Sequence, residues 1–136
     1  MTRTLCLLLL LAFSGCRPSW ARTVTIPVSS QAVPDVTGTW NTRWEEYVAV
    51  LFLEQQGANV SGNYTTTARP APGVETTLPG KLVGRFDGNE LRGTWDEGGD
   101  RFGRFRFVFS ADGHAFEGTY GNEGSEDTGG SWTGTR

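Results

Sequence analysis

LVGRFDGNELRGTW, running from Leu82 to Trp95, carries a glycine at the centre of each half and a turn signal between the halves. With Gly88 and Asn89 at the turn of a β-hairpin, Phe86 meets Leu91, Gly84 meets Gly93 and Leu82 meets Trp95. An Asp87–Gly88 turn keeps the same faces. Alternate residues of a strand share a face, so the apolar residues and both glycines lie together, opposite Arg85, Arg92 and Thr94. Glycine loses the most backbone entropy and packs nothing, so facing glycines in mid-strand need a reason.

The spacing apolar, x, Gly, x, aromatic recurs at Val36-Gly38-Trp40, Val60-Gly62-Tyr64 and Phe116-Gly118-Tyr120, and twice within the opening hairpin. The intervening positions are mostly polar, so the glycine face is the core face and the other face meets water. A lipid-facing barrel needs the reverse. Inner glycines suit a sheet that coils tightly around its own core, because they relieve crowding and leave notches for rings from neighbouring strands. FRFVFSADGHAFEGTY, from Phe105 to Tyr120, fits the same scheme. A two-residue Asp112-Gly113 turn sets Ala111 opposite His114, Phe109 opposite Phe116, Phe107 over the Gly118 notch and Phe105 opposite Tyr120.

No stretch has the helical period of 3.6. Eight short alternating runs are expected, at about 36–44, 46–54, 59–66, 80–86, 90–96, 103–110, 115–121 and 130–136. The fold class is therefore all-β, an eight-stranded antiparallel up-and-down meander barrel, whose closure sets residues 38–40 beside the C-terminal SWTGTR. RGTWDEGGDRFGRF and EGTYGNEG also resemble MORN repeats, but the motif glycines are spaced 24, 22, 9 and 25 residues apart, too irregularly for a simple array.

Residues 1–15 read as a secretory signal: a charged start, then an apolar run from Leu5 to Phe13, too short to span a bilayer. Cleavage before Cys16, in FSGC, resembles the bacterial lipobox and would lipidate that cysteine; SWA before Arg22 is the competing site. The expectation is an extracytoplasmic cell-envelope lipoprotein or secreted protein, with membrane attachment through the lipid on Cys16. Residues 16–35 form a tether, whose TVTIPV could seat against the barrel, and 36–136 the domain. Cys6 leaves with the signal, so the domain holds no disulfide and no thiolate metal site. Without residues 1–15 the chain keeps eleven basic and fifteen acidic residues, with no basic run, which argues against nucleic-acid binding.

Gly38-x-Trp40 on the first strand and Arg136 on the last resemble the calycin pattern, in which that arginine packs on that tryptophan. Calycins include lipocalins, fatty-acid-binding proteins and avidins. GTW, NVSGNYTT and FEGTY are most similar to avidin strands, and the resemblance implies Tyr64 and Thr66 as ligand hydrogen-bonding residues. It further places Thr42 at an asparagine position and Phe116 at a stacking tryptophan. The family's late aspartate has no counterpart here, which points away from biotin.

In a meander the connections near 55–58, 87–89 and 111–114 share one end. The opposite end has 45–46, 67–79, 97–102 and 122–129, with TARPAPGVETTLP as a lid. Strand direction brings Trp44, Tyr64, Trp95, Phe105, Tyr120 and Trp132 toward that second end. These rings either bind a small ligand or simply fill the barrel. The second strand, EYVAVLFLEQQ, is apolar on both faces, and its spare face suits a homodimer or another protein partner. The acidic stretches DEGGD and GNEGSEDTGG read as solvated loops rather than calcium sites, so no metal and no cofactor is expected. One histidine, His114, sits beside a turn, and no nucleophile motif occurs, so no enzyme activity is expected. Two classes of function stand: a small-ligand binding module, or a protein-interaction module using the spare face of the second strand.

Overall fold

The computed structural model describes residues 32–71 and 73–136. The expected signal peptide, Cys16 and most of the tether lie outside the described residues. Eight strands follow one another around a closed barrel: β1 Gly38–Trp44, β2 Tyr47–Gln56, β3 Asn59–Ala71, β4 Val74–Asp87, β5 Glu90–Gly98, β6 Arg101–Phe109, β7 Ala115–Asn122 and β8 Gly130–Thr135. Each pairs antiparallel with the next, and β1 closes on β8 from Asn41↔Thr135 to Trp44↔Trp132. The fold is the all-β up-and-down meander that the glycine pattern predicts.

Both hairpin registers hold. Gly84 pairs with Gly93 and Leu82 with Trp95; Phe107 pairs with Gly118 and Phe105 with Tyr120. The second turn is not the two-residue one expected. Ser110 and Ala115 close it through a backbone bond of 2.9 Å, and four residues cross over. Asp112 dictates this: it accepts hydrogen bonds from the Ser110 hydroxyl and the His114 amide, an Asx-type turn.

Around the wall, a large inner side chain repeatedly faces a glycine on the next strand. A Cβ on Gly118 would strike the Arg106 carbonyl and come within 2.8 Å of Phe107 Cδ1. A Cβ on Gly134 would enter the Phe116 ring, and one on Gly80 the Tyr64 ring. On Gly62 it would lie 2.7 Å from Leu53 Cδ2. At these positions a large inner side chain fills the space that a Cβ on the facing glycine would need.

The end carrying the β2–β3, β4–β5 and β6–β7 turns is stoppered. Val36, fully buried, precedes β1 rather than belonging to it, and its amide donates to Gln55 Oε1. Trp40 Nε1 donates to the Val36 carbonyl at 2.9 Å. Arg136 lies over the Trp40 ring at 4.9 Å and donates to the carbonyls of Asp35 and Thr37. The last residues of the expected tether are therefore fastened to the barrel by the residue that follows its last strand.

The opposite end departs from expectation in three connections. Residues 67–79 are not a lid loop. Ladder pairs continue to Thr67↔Thr77, Ala68↔Thr76 and, past a register shift, Ala71↔Val74, beyond the last β2 pairing at Val48↔Thr67. The stretch is an extension of the β3–β4 hairpin, because its β-branched threonines favour the ladder although they are polar. The 97–102 connection shrinks to Gly99 and Asp100 between β5 and β6. Residues 123–127 turn down the outer wall: the Glu123 amide donates to the Phe102 carbonyl and the Glu126 carboxylate reaches Arg92 at 3.5 Å.

The packing makes a direct prediction. Gly118→Ala forces a methyl against the backbone of Arg106 and Phe107, and is expected to cost about 1–3 kcal/mol of stability by urea unfolding. Gly124→Ala, with nothing within 4 Å of the added carbon, is expected to leave stability unchanged.

Candidate functional site

Three of the four connections at the open end surround a cavity of about 500 Å³. Trp44, Tyr64, Trp95, Tyr120 and Trp132 line it, together with Tyr47, Glu45, Glu97, Asp100, Arg101, Asn122, Thr128 and Gly129. That volume lies in the ordinary range for small-molecule sites.

Five of the seven residues singled out in the sequence meet here. Trp44 and Trp132 are cross-strand partners at the β1–β8 seam, with ring centroids 4.6 Å apart. Tyr64 meets both edge-on, at 5.7 and 5.4 Å. Tyr120 stands edge-on to Trp132 at 5.9 Å, and to Trp95 at 6.3 Å. Trp95 is fixed by donating its indole N–H to the Gly121 carbonyl at 3.1 Å.

The other two do not line the cavity. Phe105 is fully buried against Phe107, and its ring points toward Gly84 in the middle of the barrel. Thr66 is buried between its cross-strand partners Ala49 and Leu78. Of the other positions implied by the avidin resemblance, Thr42 spends its hydroxyl on the Ala49 carbonyl. Phe116 lies among Trp40, Phe107 and Phe109, away from the Trp44–Tyr64 group, so it does not stack at the mouth.

Polar chemistry at the mouth centres on Glu97, whose side chain is 5 % exposed. Its Oε2 takes Arg101 at 2.6 Å, and its Oε1 accepts the Tyr64 hydroxyl at 3.2 Å. Tyr64 is thus not free to donate to a ligand in the manner the resemblance implies. Burial, and then the Glu97 charge, hold the Tyr64 phenol well above its ordinary value. Burial and then Glu45 raise Tyr120 likewise. Among the described residues, two buried polar atoms have no protein partner: Thr66 Oγ1 and Trp132 Nε1. Such atoms are rare in native interiors, and each costs about 1–3 kcal/mol.

Glu97 and Asp100 belong to DEGGD, which reads from its residues as a solvated loop; the structure instead has both lining the cavity with Glu45 and Arg101, and Glu97 only 5 % exposed. Tyr47 was open to detection: it shares the inner parity of Ala49, Leu51 and Leu53. Among the described residues no three His, Cys, Asp or Glu side chains are grouped to hold a metal ion. No family model matches the chain, and neither a curated protein nor a solved structure matches it.

The raised Tyr64 phenol gives a pH dependence. The folded state holds this proton more tightly than the unfolded chain, so its contribution is intact below pH 10.0 and is lost as pH rises above it. Unfolding free energy is expected to fall there by up to about 1.4 kcal/mol per pH unit. Tyr64→Phe is expected to make that slope shallower in urea titrations between neutral and alkaline pH, leaving the share that the raised Tyr120 phenol contributes.

Proposed function

We propose that the protein is a non-enzymatic, extracytoplasmic binding module that holds a small ligand at its aromatic mouth and is anchored through lipidated Cys16. The observation that carries this reading is Trp132: it lines the cavity, is 98 % buried, and leaves its indole N–H without a protein partner. A ring needed only as filler is better served by phenylalanine, as at Phe105, Phe107, Phe109 and Phe116. Thr66 adds a second unpartnered group two residues from Tyr64. The Gly38, Trp40 and Arg136 arrangement supports a calycin-like barrel, an architecture with one closed and one open end. The five tryptophans, three of them at the mouth, make ligand binding visible as a change in intrinsic fluorescence.

Tryptophan fluorescence and thermal shift with a panel of small organic probes test the reading. Binding is expected to change the emission and raise the melting temperature of the wild type, and to weaken about tenfold or more in Trp132→Ala with the barrel still folded. A panel that leaves both emission and melting temperature unchanged removes the reading.

A second reading, interaction with another protein, is favoured by the outer face of β2. Val48, Val50 and Phe52 are 46 %, 54 % and 43 % exposed in a single row. They flank Arg43 of β1 and Thr65 and Thr67 of β3, and the shallow groove of about 530 Å³ there also includes Thr133 and Thr135 of β8. Under this reading sedimentation velocity shows a dimer that Val50→Lys converts to monomer. A wild-type protein that stays monomeric at high concentration removes it.

A further inference from the structure

We propose that the ligand of the mouth is a small organic cation, a methylated ammonium group seated over the rings and facing the rim carboxylates. This deepens the small-ligand reading and rests on it. The rings alone do not choose: a neutral planar molecule stacks on tryptophan, and so does a cation, which is drawn to the negative face of the ring.

Charge makes the choice. Glu45, Glu97 and Asp100 line the cavity against one guanidinium, Arg101. Arg101 is already taken by Glu97 through two contacts of 2.6 and 2.8 Å. Among the described residues, neither Glu45 nor Asp100 has an ion-pair partner, so the net field at the mouth is negative. An anion is repelled there, and a neutral ligand gains nothing from it. A concave site lined on one side by carboxylates concentrates such a field on whatever enters. The raised phenols of Tyr64 and Tyr120 agree with it, since neighbouring carboxylates contribute to both shifts.

Glu45 is held in place against its backbone preference. It occupies the two-residue link between β1 and β2 with φ at +51°, a left-handed conformation that glycine, asparagine or aspartate adopts at lower cost. A link chosen for stability alone would carry one of those residues. Here the strained position directs a carboxylate toward Tyr120 and Gly130 at the cavity edge. A methylated ammonium that also bears a hydroxyl oxygen suits this setting: it presents a methyl surface to the rings, keeps a full charge for Glu45 and Asp100, and offers an acceptor for the unpartnered Trp132 indole N–H. Its size is well within the cavity of about 500 Å³.

The test is a titration of the purified protein by calorimetry and tryptophan fluorescence with choline, with its uncharged isostere 3,3-dimethyl-1-butanol, and with the neutral dye N-phenyl-1-naphthylamine. Choline is expected to bind about tenfold more tightly than the isostere at low ionic strength, with the gap narrowing as salt is added. Glu45→Gly is expected to raise the melting temperature and to weaken choline binding several-fold; Asp100→Asn is expected to weaken it without the gain in stability. Equal binding of choline and the isostere overturns the cation assignment, as does choline binding that neither substitution affects. Dye binding without choline binding overturns the cation and leaves the mouth as a ligand site. Failure of all three probes to bind overturns both readings.

Discussion

The structure depends on one steric constraint. Eight strands wrap around a core filled with rings, and for several of those rings a glycine on the neighbouring strand makes the room. Phe107 faces Gly118, Phe116 faces Gly134, Tyr64 faces Gly80 and Trp95 faces Gly103. Each such pair fixes register more firmly than the ladder bonds do. A slip of two residues preserves every backbone hydrogen bond and every face, but drives a ring into a ring. The same pairs set the curvature that lets β8 reach β1. Closure, register and core density are therefore one property of this sequence.

That constraint leaves the two ends to differ. At the closed end Val36 stoppers the barrel, Trp40 bonds back to it, and Arg136 holds the incoming chain by two carbonyls while covering the indole. Every polar group named there has a partner. At the open end the rings are as tightly packed below, but the chain runs out of core to bury. The β3–β4 hairpin climbs past its neighbours, the acidic loop folds outward, and what remains over Trp132 is a cavity bounded by turns.

Parity explains what could be read from residues alone. The contact of Arg136 with Trp40 is what the calycin resemblance implies, whereas inward and outward faces, both hairpin registers and the closure of first strand on last follow from alternation and from turn chemistry. Height along the barrel axis does not. In a tilted barrel two residues of equal parity on different strands can lie at opposite ends, because the shear is set by the whole circuit and not by one hairpin. Phe105 lies deeper than its strand direction suggests for that reason, whereas Glu45, Glu97 and Asp100 stand at the end expected of 45–46 and 97–102 and differ in lining the cavity rather than facing only solvent. The arm at 67–79 failed differently: its prolines and polar residues read as loop, while its threonines kept strand geometry.

The distribution of cost supports the proposed site more strongly than the cavity does. A protein free to optimise stability alone removes unpartnered buried atoms and strained non-glycine residues, and this chain has done so through most of its wall and throughout its stoppered end. The exceptions gather at or near the open end: the Thr66 hydroxyl, the Trp132 indole N–H, the left-handed Glu45, and Glu97 drawn into the barrel rim with its counter-ion. Glu123, the other left-handed non-glycine residue, begins the loop beside the same mouth. Local rules broken together in one place, among the described residues, support the proposal of a binding site at this mouth. A barrel that merely filled itself with rings would have no reason to confine its exceptions to the end that opens.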